Sequence, residues 1–244
     1  MRLDSRKEDI LGFIVRDYVR TALPVSSGRI SAHKAIDASP ATIRNIMLDL
    51  DGEDYLYQPH TSAGRAPTEK GYNYFIRHLM STRVPEAEIR ERLDNIIETL
   101  DQEADLAFDQ LSRAMAGHLK LFSGIGFLDA KEKFFGKGLP EVFRAPEFAE
   151  RNLASEFADF AEGISKNLAD FGRCSKEDLE PVFNIQAFGV VSIFFDDENF
   201  GRCAIFSAGP KRMNYEKAAS VLKYAAKDIS AKGGPASGGK NKRK

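Results

Sequence analysis

An arginine followed directly by an asparagine can read the edges of bases. Arg pairs with guanine and Asn with adenine, each through two hydrogen bonds in the major groove. Arg44 and Asn45 follow the run Ser39-Pro40-Ala41-Thr42-Ile43. Ser39 is a favoured helix N-cap, and Pro40 at the first helical position loses nothing for want of an N–H. Ile43, Ile46, Met47 and Leu50 recur at helical spacing and mark a buried stripe. Arg44 and Asn45 therefore fall in the first exposed turns, the part of a recognition helix that meets a groove. Thr42 beside them suits a phosphate or a thymine methyl. Ser39 reads first as a cap and only then as a DNA contact. The competing role for Arg44 is a surface ion pair within its own domain.

A second group, His60, Thr61, Ser62 and Arg65, sits in the turn-rich run Pro59-His60-Thr61-Ser62-Ala63-Gly64 and the residue after it. Gly64 is expected to take positive φ there. An arginine on such a turn enters a minor groove or holds a phosphate, whereas His60 has a plain alternative as a cap for the turn. A third group, Ser26, Ser27 and Arg29, opens a short helix whose free N–H groups suit a phosphate. Enzyme chemistry has no comparable pattern. Lys131 stands where a phosphate-binding loop ending at Gly136-Lys137 needs glycine, and the four histidines are scattered without a H-E-x-x-H spacing. Cys174 and Cys203 sit in no metal spacing, and a disulfide between them has little support in a chain with no export signal. No enzymatic activity, cofactor or metal is expected.

The elements that must hold these residues follow from periodicity. Residues 5–21 predict an amphipathic helix with Ile10, Phe13, Ile14 and Tyr18 on one face, and residues 27–34 a short one. Residues 55–58 read as a strand, and 65–67 return as an edge strand where Pro67 is tolerated. Thr68 caps a helix that buries Tyr72, Phe75, Ile76 and Leu79. Three helices, a β-turn wing and a closing helix predict a winged helix-turn-helix over residues 1–80. Residues 81–125 are helical, with a stripe at Ile89, Leu93, Ile96, Leu100 and Leu111. This stripe either packs on its own domain or joins a second copy, and the expectation is a dimerisation segment. Residues 124–138 read as a loop, 145–171 as helix, and 188–206 as a hairpin around Asp196-Asp197-Glu198-Asn199. Residues 215–229 form a last helix, and 231–244 are expected to be a disordered basic tail.

The chain has 244 residues, 43% hydrophobic and 29% charged, with 18 Phe and no Trp. That composition suits a packed core in one or two domains. No apolar run reaches the length of a membrane span, and the charged N-terminus lacks a signal-peptide core, so the expected compartment is the cytoplasm. The net charge is −1, and five basic residues cluster from Lys232 to Lys244, so the remainder carries about −6. Attraction to DNA must then come from local patches.

The run Pro59-His60-Thr61-Ser62-Ala63-Gly64-Arg65-Ala66-Pro67-Thr68-Glu69-Lys70-Gly71-Tyr72 resembles the wing signature of the HrcA family of heat-inducible repressors. Pro24-Val25-Ser26-Ser27 and Ser39-Pro40-Ala41-Thr42-Ile43-Arg44-Asn45 resemble the helix-turn-helix of that family. Gly209-Pro210-Lys211-Arg212-Met213-Asn214-Tyr215 resembles its C-terminal G-P-T-R-M-x-Y segment, with Lys211 in place of the usual Thr. Gly138-Leu139 through Pro146-Glu147-Phe148 is a weaker match. The resemblance implies a homodimeric repressor of chaperone operons that binds double-stranded DNA at an inverted-repeat operator, CIRCE. It also implies dependence on the chaperonin GroEL and release under heat stress. It implies an α+β chain with a GAF-like C-terminal domain over 126–230. That domain is expected to be truncated here, because family members are usually longer and the residues between Phe127 and Gly138 leave little room for its early strands. The surviving hairpin, 188–206, is then expected to have an unpaired edge and to open first on warming. The alternative is a ligand-sensing regulator with a small-molecule site in the C-terminal domain.

Overall fold

The computed structural model describes residues 2–34, 36–129, 133–172 and 177–233. The chain divides into two units, the first comprising Met1–Ser81 with Lys211–Glu216, the second Thr82–Pro210 with the remainder.

In the first unit, α1 (Ser5–Thr21) starts at Asp4, whose carboxylate accepts from the Lys7 N–H at 2.9 Å. It ends at Ala22 in the left-handed conformation, φ 56°. Its buried face carries Ile10, Leu11, Ile14 and Val15, with Phe13 and Tyr18 at the margin. Ser26 caps α2 (Ser27–Ser31) and Ser39 caps α3 (Pro40–Gly52), with Pro40 in the first turn. The three helices bury Ile30, Ile43, Met47 and Leu50 among them. Next, β1 (Leu56–Tyr57) pairs antiparallel with β2 (Ala66–Pro67). Val25 and Arg65 extend this pairing, exchanging two N–H···O bonds of 2.8 Å. Thr68 caps α4 (Glu69–Tyr74), which runs into a π-helical turn, Phe75–Leu79. Gly71 is required at this junction, since a Cβ there would lie 2.2 Å from the Tyr55 carbonyl oxygen. Tyr72, Phe75 and Ile76 are buried as expected. The Tyr72 ring lies 6.0 Å from that of Tyr215, and burial pushes both phenols far above their ordinary range.

The second unit begins with α5 (Ala87–Ile97) packed on α6 (Ala104–Leu119). A five-stranded antiparallel sheet follows, built from β3 (Phe122–Phe127), β4 (Phe134–Lys137), β5 (Pro181–Ile185), β6 (Gly189–Asp197) and β7 (Gly201–Gly209) in the order β4-β3-β7-β6-β5. Between β4 and β5 come α7 (Leu139–Phe143), a 3-10 turn at Pro146–Ala149, α8 (Arg151–Glu162) and α9 (Ile164–Gly172). The last helix is α10 (Tyr215–Gly233). Side chains alternate between two covered faces. Phe122, Val190, Phe194 and Phe206 join Phe157, Phe160 and Leu168 of α8 and α9 in one core. On the opposite face Phe127 meets Phe108 of α6 edge-on at 5.0 Å, and the Ser123 and Ser207 hydroxyls bond each other at 2.8 Å.

Three expectations change. Residues 124–138 are not a loop, because β3 and β4 occupy most of them. The sheet is not reduced to one hairpin, since β6 and β7 lie inside it with β5 and β3 on their outer sides. The stripe assigned to a dimer is covered by the chain itself. Ile89, Leu93, Leu100 and Leu111 are buried and Ile96 is half-buried, while Asp94 of α5 accepts a 2.8 Å hydrogen bond from Tyr224 of α10. The burial of this stripe therefore needs no second subunit. Residues 231–233 belong to α10, while Cys174 and the tail from 234 onward lie outside the described residues. Cys203 is buried in β7, and burial pushes its thiol up to about 12. Among the described residues no helix is long and apolar enough to cross a membrane.

Candidate nucleic-acid interface

The Ser39 hydroxyl accepts from the Thr42 N–H at 3.1 Å and lies 2.9 Å from the Thr42 hydroxyl. The cap fixes the first turn of α3 and engages both side chains, so Ser39 is a structural residue as its sequence position suggested. Arg44 and Asn45 are exposed on the next turn. Neither has a side-chain hydrogen bond or ion pair among the described residues, so the competing intramolecular role for Arg44 is not taken up.

A concave cleft of about 270 Å³ opens in front of Arg44, lined by Ser26, Ser27, Leu48, Ser62 and Arg65 among others. The fold thus gathers members of all three groups that the sequence singled out. Ser26 accepts from the Arg29 N–H at 3.3 Å as the cap of α2. The turn between β1 and β2 carries His60, Thr61 and Ser62 exposed.

Two arginines depart from expectation. Arg65 points inward, with its side chain 12% exposed and its Nε 2.8 Å from the Asp51 carboxylate. This is a charge contact at close range, without the alignment of a hydrogen bond. Arg29 turns to α1, where its guanidinium meets the buried Asp17 carboxylate at 2.7 Å and 3.1 Å. Both arginines act first as struts. Gly64 also has a different reason from the one expected. It takes no positive φ, but a Cβ on it would lie 2.2 Å from the Val25 carbonyl oxygen.

Two residues at this surface carried no motif signal. The Gln58 amide donates to the carbonyls of Thr61 and Ala63 at 3.0 and 2.8 Å and so ties the turn back to its strand. Leu48 is exposed beside Arg44. Its position off the Ile43-Met47-Leu50 stripe was the available sign; for Gln58 there was none.

No family model matches this sequence. Part of the chain is similar to curated proteins named heat-inducible transcription repressor HrcA. The protein from Pelotomaculum thermopropionicum is 52% identical over 80 residues, 33% of this chain and 23% of its own length. That from Lachnoclostridium phytofermentans is 42% identical over 116 residues, 48% of this chain and 33% of its own. The chain therefore spans about a quarter to a third of the length of these relatives. A crystal structure of a hypothetical protein shares the fold, with a TM-score of 0.70 at 19% identity over 94% of this chain and 98% of that one. These features define a mixed helix-and-sheet protein with an exposed, polar helix N-terminus beside a short β-turn. Over the matched part of its length, the chain is similar to proteins of the HrcA family.

Proposed function

We propose that this protein is a sequence-specific DNA-binding transcription repressor whose first unit is a winged helix-turn-helix. In this reading α3 is the recognition helix and the β1–β2 turn is the wing. The observation that carries it is the pair Arg44 and Asn45, exposed on a capped helix and without side-chain partners among the described residues, with Arg44 lining a cleft shared with Ser26, Ser27 and Ser62. Arg44 and Asn45 would read base edges in the major groove. Thr42, Ser27 and the wing residues His60, Thr61 and Ser62 would hold phosphates and set the register. The HrcA relatives support the repressor reading through their names.

The finer reading follows the same family. The operator is an inverted repeat of the CIRCE type, two copies of the chain bind it together, and heat ends repression with GroEL restoring it. A palindrome needs two reading heads, and with the stripe of α5 and α6 covered, the copies meet through another surface. The second unit is read as GAF-like. Its sheet face toward α8 and α9 is filled with phenylalanine side chains, which favours a packing role there over a ligand site.

The test is titration of the protein against a labelled inverted-repeat duplex and a scrambled duplex at two salt concentrations. Operator binding tighter by about 10³ or more is expected, with a steep loss on raising salt. Equal affinity for the two duplexes overturns the reading.

A further inference from the structure

A second cleft in the first unit, about 580 Å³, lies between α1, α2 and the residues after α2. It shares no lining residue with the cleft around Arg44. One wall is apolar, formed by Phe13, Ala32 and Ile36, with His33 edge-on to the Phe13 ring at 5.0 Å. The other wall is ionic. Arg16, Arg20 and Arg29 line it together with Asp9 and Asp17.

The ionic wall is rigidly built. Asp17 is only 6% exposed and is bracketed by Arg20 at 2.7 Å and Arg29 at 2.7 Å. A guanidinium has five N–H donors in a fixed fork. Asp17 accepts one hydrogen bond from each arginine, and both side chains remain partly open to solvent, 70% for Arg20 and 41% for Arg29. Arg16 is engaged elsewhere, by the Leu79 carbonyl at 3.0 Å and the Glu216 carboxylate at 3.1 Å. Two oriented guanidinium groups with unused donors thus stand opposite an apolar wall, in a volume typical of small-molecule sites.

We propose that this cleft binds an aromatic monocarboxylate. Its carboxylate pairs with Arg20 and Arg29, and its ring lies against Phe13, Ala32 and Ile36. Arg20 and Arg29 share the one Asp17 carboxylate and keep donors for a second. A bare phosphate leaves the apolar wall in water, and a neutral hydrocarbon leaves the guanidinium donors unmatched. The inference goes beyond the DNA-binding reading and does not depend on it.

The experiment is calorimetric titration of the full chain with phenylacetate in the absence of DNA, with inorganic phosphate and toluene as comparison probes. Saturable phenylacetate binding is expected, tighter than either comparison probe. Arg20→Gln should weaken it by at least about tenfold, the loss of one charge-assisted hydrogen bond. Arg29→Gln strips a buried carboxylate of a partner and risks the fold, so Ala32→Phe serves as the second variant. It fills the cleft from an exposed position and leaves every charge in place, and it should abolish binding without moving the melting temperature. No saturable binding of phenylacetate overturns the proposal. So does equal affinity for phosphate or toluene, or unchanged affinity in a folded Ala32→Phe protein.

Discussion

Arg44 and Arg65 carry the same side chain into the same cleft, and their surroundings give them different work. Arg44 is exposed and has no partner among the described residues, while Arg65 is mostly buried against Asp51. Arg44→Ala should therefore weaken operator binding by roughly 1–3 kcal/mol and relax preference at one base position, with the melting temperature unchanged. Equal loss on operator and scrambled DNA would reduce Arg44 to a phosphate contact. Arg65→Ala should do the reverse. It removes the charge partner of Asp51, lowers stability by up to about 1 kcal/mol, and weakens both duplexes alike by loosening the wing. A thermal melt beside each titration separates the two patterns. The exposed members of the site were legible because capping, periodicity and solvent exposure are local properties of one helix. The fates of Arg29 and Arg65 were not legible. Their partners Asp17 and Asp51 lie 12 and 14 positions away, and only the fold decides which arginine meets which carboxylate.

At the scale of elements, helices declared themselves through their caps and stripes, as with Ser39 for α3 and Thr68 for α4. Strands β3 and β4 did not. Residues 124–138 read as a loop, yet a Cβ on Gly124 would lie 2.0 Å from the Phe135 carbonyl oxygen, and one on Gly136 would meet the Phe134 ring at 2.4 Å. These glycines are where strand and side chain approach closely. Both faces of the sheet are covered, so no polar alternation marked the strands. The same blindness produced the dimer expectation, because a stripe seen on α5 cannot say what covers it. Leu93 is fully buried. Leu93→Asp should thus cost at least about 3 kcal/mol and unfold the second unit, giving no folded monomer. A denaturant melt followed by sedimentation decides this; a stable, folded monomer would return the stripe to the dimer interface. The α5–α10 contact supplies a pH test. Burial, with a hydrogen bond to Asp94, raises the Asp228 carboxyl above its usual range. The folded state holds that proton more tightly than the unfolded one. This stabilisation is full below the ordinary aspartate value and is lost as pH rises through the raised one. Asp228→Asn should raise the unfolding midpoint at neutral pH, and the gain should close below about pH 4. A gain independent of pH would assign the effect to packing.

For the molecule as a whole, the proposed function turns on which part yields first on warming, since a repressor released by heat would need an inactive state within reach of a stability of only about 5–15 kcal/mol. A lone Phe-rich hairpin over 188–206 would be the weak point, because an unpaired strand edge and apolar surface open readily. The structure removes the premise of an unpaired edge. Strand β6 bonds to β5 and β7, and β7 to β6 and β3, so both strands of the hairpin are internal. From Val190 to Phe195, and again from Cys203 to Ala208, every residue is buried. Burial is lower on the outer strands, where Phe134–Lys137 is half-buried throughout and Pro181–Ile185 is buried only at its last residue. Opening either outer strand exposes less apolar area than opening the hairpin, and it costs correspondingly less free energy. Hydrogen exchange from growth to heat-shock temperature should therefore find the amides of β6 and β7 the slowest in the second unit, with β4 and β5 faster by about tenfold or more. Peeling β4 uncovers the Phe122, Phe134 and Phe206 cluster, whose rings lie 5.3 to 6.2 Å apart. That is apolar surface of the kind a chaperonin holds, so loss of operator binding should track exchange at β4. Exchange that begins in β6 and β7 while β4 stays protected would move the heat-sensitive element back to the hairpin.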